Sequence, residues 1–452
     1  MLHKLPLYTL LAGLGLTALG LAGRPTAAAT TARPFGAAAD SLDALKIVYL
    51  GSSVPYGQGA TNKYGYTSRY TAELQQRHAA GLGRAWTSAN ASVPGDNTSK
   101  VAARWRRDLL PQRGRYVVLA LSLGNEGIHG GGQPIFEQFG RNLAALVARA
   151  RADGRVPVIT NCYTRNDFTP EDYAFTKQMN LLLHAWTVPT VNLLGAVDDG
   201  QGHWAPGYWD DALHPNDRGH AELARAIVPS LFDALRAGKP VPRWQPSSGT
   251  ALAPGAALRV VPEAGLHAFT QAVSFWGAGP AGRLLTLTDS LGTGFVDLDA
   301  VGTLTYASAR GGRLASTGRA TGARWHHLVL THYYARGETV LYLDSTRVGS
   351  LPEKLLLRQL TLGGHPARPG GKYRNWLLYR AGMNAEEVHA LAADSLLKSS
   401  LEVYAPLAGP KAALSNLAQS TNRLQPLPPA APARRPRASS SPARRPARPA
   451  AR

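Results

Sequence analysis

Between Ile47 and about Leu235, short apolar runs alternate with amphipathic stretches, and this alternation constrains the fold more than any other feature. Ile47–Leu50, Trp86–Ala89, Tyr116–Ser122, Val156–Asn161 and Thr190–Leu193 read as strands. Tyr66–His78, Ser99–Leu110, Pro134–Asp153 and Glu171–Trp186 carry helical spacing, and Asp217–Leu235 closes the series. Strands that alternate with helices return parallel, because a parallel pair needs a crossover connection long enough to hold a helix. The prediction is an α/β domain, a parallel sheet covered by helices on both faces, with its functional groups beyond the carboxyl ends of the strands.

Beyond this region the period changes. "GKPVPRWQPSSG" has the Pro, Gly and Ser content of a linker, assigned to residues 238–255. After it, Ala272–Phe275, Leu284–Leu287, Gly294–Leu298, His327–Tyr333, Thr339–Leu343 and Trp376–Tyr379 are short, β-rich and separated by turn residues. That pattern predicts an all-β sandwich or jelly roll over 256–408, with Asn384–Ser395 as its helical piece. Trp276, Trp325 and Trp376 are read as core residues of this module. At 452 residues the chain is too long for one core, which agrees with two domains, 40–237 and 256–408.

The two ends have a different character. His3 and Lys4, the apolar run Leu5–Ala22 and the small residues Ala27–Ala29 have the layout of a secretory signal peptide over 1–29, so the chain is expected to be secreted or periplasmic. The alternative is an amino-terminal membrane anchor. Cys162 is the only cysteine, so no intrachain disulfide can form, and its apolar neighbours make it a buried hydrophobe. Of the net charge of +20, over a third comes from Arg434, Arg435, Arg437, Arg444, Arg445, Arg448 and Arg452. They lie in a Pro/Ala/Arg-rich tail, 424–452, read as disordered, which would meet anionic surfaces non-specifically and has no motif for a specific nucleic acid.

Four clusters fall where predicted strands end. Ser53 follows the first strand, Gly95 ("NASVPGDN") the second and Asn125 ("LSLGNEG") the third, while Asp211 and His214 ("WDDALHPNDRGH") follow the last. In a parallel sheet these positions converge on one edge. The set suits acyl transfer. A serine needs a base, histidine has the right intrinsic pKa, and a carboxylate fixes its tautomer. Ser53, His214 and Asp211 are the candidate catalytic residues. The backbone N–H groups of Ser53 and Gly95 and the Asn125 amide are the candidate oxyanion donors. His129 is a candidate pocket residue, whereas His184, His203 and His220 lack the placement and read as structural or surface groups.

These blocks resemble the SGNH family, also called GDSL-type esterases and lipases, whose four blocks name a serine, a glycine, an asparagine and a histidine. Ser53, Gly95, Asn125 and His214 match them in order, and Asp211 has the DxxH spacing. The resemblance implies a flavodoxin-like three-layer α/β/α sandwich and a serine hydrolase that needs no metal or other cofactor. Two positions depart from the pattern: Ser52 stands where the family has aspartate in Gly-Asp-Ser, and Glu126 where it has aspartate after the asparagine. Over Ala256 to about Leu407, "FTQAVSFWGAGPAGRLLTL", "ARWHHLVLTHYYARGETVLYLDSTRVG" and "LTLGGHPARPGGKYRNWLLYR" resemble the laminin-G-like, concanavalin A-like jelly roll. That likeness implies a carbohydrate- or protein-binding module. Asp297, Asp299 and Asp344 are too scattered to assign calcium.

The expectation is a secreted serine esterase acting on acyl groups, most simply O-acetyl, carried on carbohydrate, with glycan binding by the second module. Two alternatives stay open at this stage: a lipase or lysophospholipase, and an inert carbohydrate-binding or adhesion protein.

Overall fold

The computed structural model describes residues 42–279, 281–364, 371–409 and 414–428. The expected signal peptide and the arginine-rich part of the tail lie outside them. Strands β1 (Asp43–Gly51), β2 (Thr87–Asn90), β3 (Gly114–Ala120), β4 (Val156–Thr160) and β5 (Thr190–Val191) form a five-stranded sheet in the order β2-β1-β3-β4-β5. Every pair is parallel, with Ile47 opposite Tyr116 and Leu50 opposite Leu119. The helices are α1 (Ser53–Tyr56), α2 (Tyr66–Ala79), α3 (Thr98–Arg104), α4 (Leu123–Glu126), α5 (Ile128–Ala152), α6 (Pro170–Ala185), α7 (Leu194–Val197), α8 (Asp217–Arg225) and α9 (Leu231–Arg236).

The alternation of side chains along β1 explains the layering. Ile47 and Tyr49 point into one core, with Tyr66, Tyr70 and Leu74 of α2, Leu223 of α8 and Phe232 of α9. Val48 and Leu50 point into the other, with Val101 of α3, Trp105, and Phe139, Leu143 and Leu146 of α5. Each large apolar side chain buried this way contributes about 1.5–3 kcal/mol. The strand order changes direction at β1, so the loops leaving β1 and β3 diverge and open a crevice between them.

Two expected elements are corrected. The closing helix is broken into α8 and α9, because Pro229 falls between them and cannot donate a helical hydrogen bond. The last strand stops at Val191 rather than Leu193, since the Asn192 N–H is diverted to Ser400 Oγ at 2.8 Å, in the second module.

That module is an antiparallel sandwich of two seven-stranded sheets. One has the order Arg313–Arg319, Thr303–Ala307, Thr293–Leu298, Gly282–Asp289, Leu357–Gly363, Ala257–Val260, Gln425–Leu427. The other runs Thr346–Pro352, Glu338–Leu343, Trp325–Tyr333, Phe269–Trp276, Lys372–Tyr379, Leu401–Ala405, with Thr250–Ala251 paired to Lys372–Tyr379. Between them lies a core of Phe269, Leu285, Val296, Leu330, Leu360 and Trp376. The sandwich therefore extends past both expected boundaries. Gln425–Leu427, placed in the disordered tail by the sequence, is an edge strand on Ala257–Val260, and Thr250–Ala251 lay in the linker. The linker is no loose spacer, for Trp244 stacks on Tyr404 with ring centroids 6.1 Å apart. Of the three tryptophans expected in the core only Trp376 is fully buried. Trp276 and Trp325 are half-buried and meet edge to face, with the Arg374 guanidinium 4.7 Å from the Trp325 ring centroid.

The helix α10 (Ala385–Ala392) covers the second sheet and meets the α/β domain through charge. Buried Glu387 accepts from His184 Nε2 at 2.8 Å and Asn192 Nδ2 at 3.1 Å, and also from the Asn384 N–H that starts its own helix. Gly195 and Gly382 approach so closely that a Cβ on Gly195 would lie 2.0 Å from the Gly382 carbonyl oxygen. Among the described residues, no helix is long and apolar enough to cross a membrane.

Candidate functional site

The first strand ends at Gly51, and the chain turns at once into the short helix α1, with Ser52 at its N-cap and Ser53 its first residue. His214 comes from the loop before α8, and its Nε2 lies 2.9 Å from Ser53 Oγ. The opposite ring nitrogen, Nδ1, lies 2.9 and 2.8 Å from the two carboxylate oxygens of Asp211. A carboxylate can only accept, so Nδ1 carries the proton and Nε2 is left to accept from the Ser53 hydroxyl. The spacing of three residues lets Asp211 also accept the N–H of Leu213 at 2.7 Å and of His214 at 2.9 Å, so the acid builds the turn that holds the base. Burial works to raise the Asp211 carboxyl, but the imidazole and these N–H groups outweigh it and hold it below its ordinary value. Ser53 and His214 are both 7% exposed, enough for a substrate to reach them from one side.

The loop is braced from behind. Asn216 caps α8 by accepting from the N–H groups of Arg218 and Gly219, and its Nδ2 donates to the carbonyls of Gly207 and Trp209 at 3.1 Å. Gly59, in the loop after Ser53, has φ +85°, and a Cβ there would lie 2.2 Å from the Pro215 carbonyl oxygen, so only glycine lets the two loops close on each other. His220 of α8 joins the same loops. Its Nδ1 accepts the Tyr66 N–H at 3.1 Å and its Nε2–H donates to the Gln58 carbonyl at 2.8 Å, while burial pushes its pKa down to about 4 and keeps it neutral.

Gly95 sits at the third position of the turn Val93-Pro94-Gly95-Asp96, which the Asp96 N–H closes on the Val93 carbonyl at 3.2 Å. With Pro second and a glycine of φ +79° third, this is a type II turn. Asn125 lies in α4, after β3, and its Nδ2 donates to the Asp96 carbonyl at 3.1 Å. The Gly95 turn and Asn125 therefore meet, and the second Nδ2 hydrogen is left over. Arg165 Nη1 donates to Asn125 Oδ1 at 3.4 Å and so fixes which way the amide faces.

Both departures from the family pattern have a place. Glu126 accepts from the Thr98 N–H at 3.0 Å and from the Thr98 hydroxyl, reaching the first turn of α3. Asn142 Nδ2 in turn donates to Thr98 Oγ1 at 2.8 Å. Ser52 is buried, and its hydroxyl faces the phenol of Tyr163 without a hydrogen bond of ordinary geometry.

His184, His203 and His220 make no contact with Ser53, and His184 and His220 are fully buried structural joints, within the structural-or-surface reading. His129 is exposed and lies 3.0 Å from Asp172, whose hydrogen bond raises its pKa. Cys162 is buried, and burial pushes its thiol up to about 12. Two functional neighbours escaped the sequence reading, Arg104 and Arg165. Arg104 left a trace, a charge three residues after Val101 on the apolar stripe of α3. Arg165 lies in a loop and left none.

Residues 49–222, less than half of the chain, match the family described as GDSL-like Lipase/Acylhydrolase. The chain is a serine ester hydrolase. No curated protein matches the chain. Among solved structures, this hydrolase is similar to a putative acylhydrolase from Bacteroides fragilis, at 15% identity and a TM-score of 0.33, over 44% of this chain and 92% of that one. It is also similar to a catalytic mutant of an acetylxylan esterase from Geobacillus stearothermophilus, at 16% identity and a TM-score of 0.33, over 40% and 91%. A SAP-like pentraxin from Limulus polyphemus matches at 11% identity and a TM-score of 0.26, over 31% of this chain and 80% of that one.

Proposed function

We propose that this hydrolase is an exported esterase that removes O-acetyl or other small acyl groups from carbohydrate, with Ser53 as nucleophile, His214 as general base and Asp211 as its orienting acid. The observation that carries the reading is the unbroken hydrogen-bond chain from Ser53 Oγ through both ring nitrogens of His214 to Asp211. In the first step Ser53 Oγ attacks the ester carbonyl carbon and its proton passes to His214 Nε2, while Asp211 stabilises the imidazolium. The oxyanion is met by the N–H groups of Ser53 and Gly95 and by the free Nδ2 hydrogen of Asn125. His214 then protonates the departing alcohol, and water repeats the sequence on the acyl-serine.

Exposed large apolar side chains at the end of α1 and in the loop before His214 support a ring-bearing alcohol. Tyr56 is 39% exposed, three residues after Ser53, and Trp209 is 44% exposed, five residues before His214. Flat aromatic faces beside a nucleophile suit the apolar face of a sugar ring. The amino-terminal layout supports export, and the sandwich is read as a laminin-G-like module that binds glycan.

The test is covalent. A fluorophosphonate probe labels the wild type and not Ser53→Ala, and a panel of acetylated glycans is turned over faster than long-chain acyl esters. Absence of labelling would return the chain to the inert binding proteins, and preference for long chains to the lipases.

A further inference from the structure

Arg104 lies outside every motif block, yet it ties the end of β1 to the turn that follows β2. It is 7% exposed, at the end of α3. Its Nε donates to the Asp96 carboxylate, which is itself buried. Its Nη1 donates to the Ala91 carbonyl at 2.6 Å and to Asp108 at 3.2 Å, and its Nη2 reaches the Gly51 carbonyl at 3.3 Å. Ala91 precedes the Val93–Asp96 turn and Asp96 closes it, and Gly51 is the last residue of β1, two before Ser53. The same Gly51 carbonyl accepts the Val93 N–H at 3.0 Å. The turn that presents Gly95 is thus bolted to the strand that presents Ser53, and one guanidinium closes the joint. The far side of Asp96 continues it, since the Asp96 carbonyl accepts from Asn125.

We infer that Arg104 is a positioning residue for the oxyanion hole: it sets the spacing between the Ser53 N–H, the Gly95 N–H and the Asn125 amide without touching the substrate. The inference rests on the hydrolytic reading above and adds a residue to it. Guanidinium is the group for this task. Its five donors lie in one plane at fixed angles, so it can meet a carboxylate and two carbonyls at once, which an ammonium on a flexible stem does not. Donors of this kind act only if they stand where charge develops, and a shift of about 1 Å costs on the order of a hundredfold in rate. The oxyanion exists in the transition state and not in the bound ester, so slackening the joint lowers kcat and leaves KM in place.

Two variants test this on the full-length protein. Arg104→Lys keeps the charge and loses the fork, and Asp96→Asn keeps the shape and loses the ion pair from the other side. The expected result with an aryl acetate is a kcat lower by about 10- to 100-fold with KM within about twofold. Affinity for an arylboronic acid, which mimics the tetrahedral adduct on Ser53, should fall by the same factor as kcat. A residue that only supports the fold would lower the melting temperature and leave both ratios unchanged. If Arg104→Lys does not fold, Asp96→Asn carries the same comparison. Wild-type kcat and boronate affinity in folded variants, with Ser53 labelled by the fluorophosphonate, overturn the role of Arg104 alone. A wild type that is not labelled overturns the hydrolytic reading itself.

Discussion

His214 Nε2 lies 2.9 Å from Ser53 Oγ although 161 residues separate them, while Ser52, adjacent to Ser53, has a hydroxyl without a hydrogen-bond partner among the described residues. Neighbouring serines are thus set apart by the partners the fold gives them. Ser53→Ala should lower aryl acetate hydrolysis by at least about a thousandfold. Ser52→Ala removes a buried hydroxyl that makes no bond, so it should keep activity within about threefold and leave the melting temperature level or slightly raised. Assaying both variants side by side decides the matter, and the reverse pattern would move the nucleophile to Ser52.

Asp211 serves His214 in two ways, by the ring contact and by accepting two backbone N–H groups. Asp211→Asn retains an acceptor for the backbone but offers the ring a donor or a neutral oxygen, which favours the wrong tautomer. We expect kcat to fall by about a hundredfold or more near pH 7, with circular dichroism unchanged. Retention of full activity would mean that another group orients the imidazole.

His220 makes stability depend on pH. Its folded pKa is depressed to about 4 against an ordinary value near 6.5, so the unfolded chain binds the proton more readily. Stability from this group is complete above about pH 6.5 and is lost as pH falls toward 4, to an extent of about 3 kcal/mol. Buried His332, pushed down to about 3, acts in the same direction. The urea midpoint should therefore drop between pH 7.5 and pH 4.5, and His220→Gln should flatten the slope. An identical slope in the variant would rule His220 out as a source.

Glu387 is 1% exposed and takes hydrogen bonds from His184 and Asn192 across the boundary between the modules. Replacing it with alanine strands those donors in the interior, at a cost of about 3 kcal/mol. Calorimetry of the wild type should show one transition for both modules, shifted down in Glu387→Ala. Two separate transitions in the wild type would show that the interface does not couple them.

The parallel sheet was legible because its strands are continuous apolar runs and its helices keep one period, as in Ile47–Leu50 and Tyr66–His78. The order of Ser53, Gly95, Asn125 and His214 could be read from the same pattern, since each follows a strand, and the structure does bring Ser53, His214 and Asp211 into hydrogen-bond contact. What escaped were the contacts between distant partners that do not sit at the strand ends. Arg104 is meaningful only beside Gly51 and Asp96, and Glu387 only beside His184. The end of β5 depends on Ser400, more than two hundred residues away. Gln425–Leu427 looked like tail because a proline-containing triplet has no strand signal of its own, and an edge position tolerates it.

The segment around Trp244 has one more consequence. Its indole lies on Tyr404, the Gln245 N–H donates to the hydroxyl of that tyrosine at 2.8 Å, and Lys239 reaches the Ser420 carbonyl at 2.9 Å. Such a connection does not behave as a tether between exchangeable cassettes. A chimera cut at residue 240 would carry one half of a glued seam into a new host, and a protease would find there no slack chain to grip. Recombination that preserves this protein has to move the hydrolase and its sandwich together.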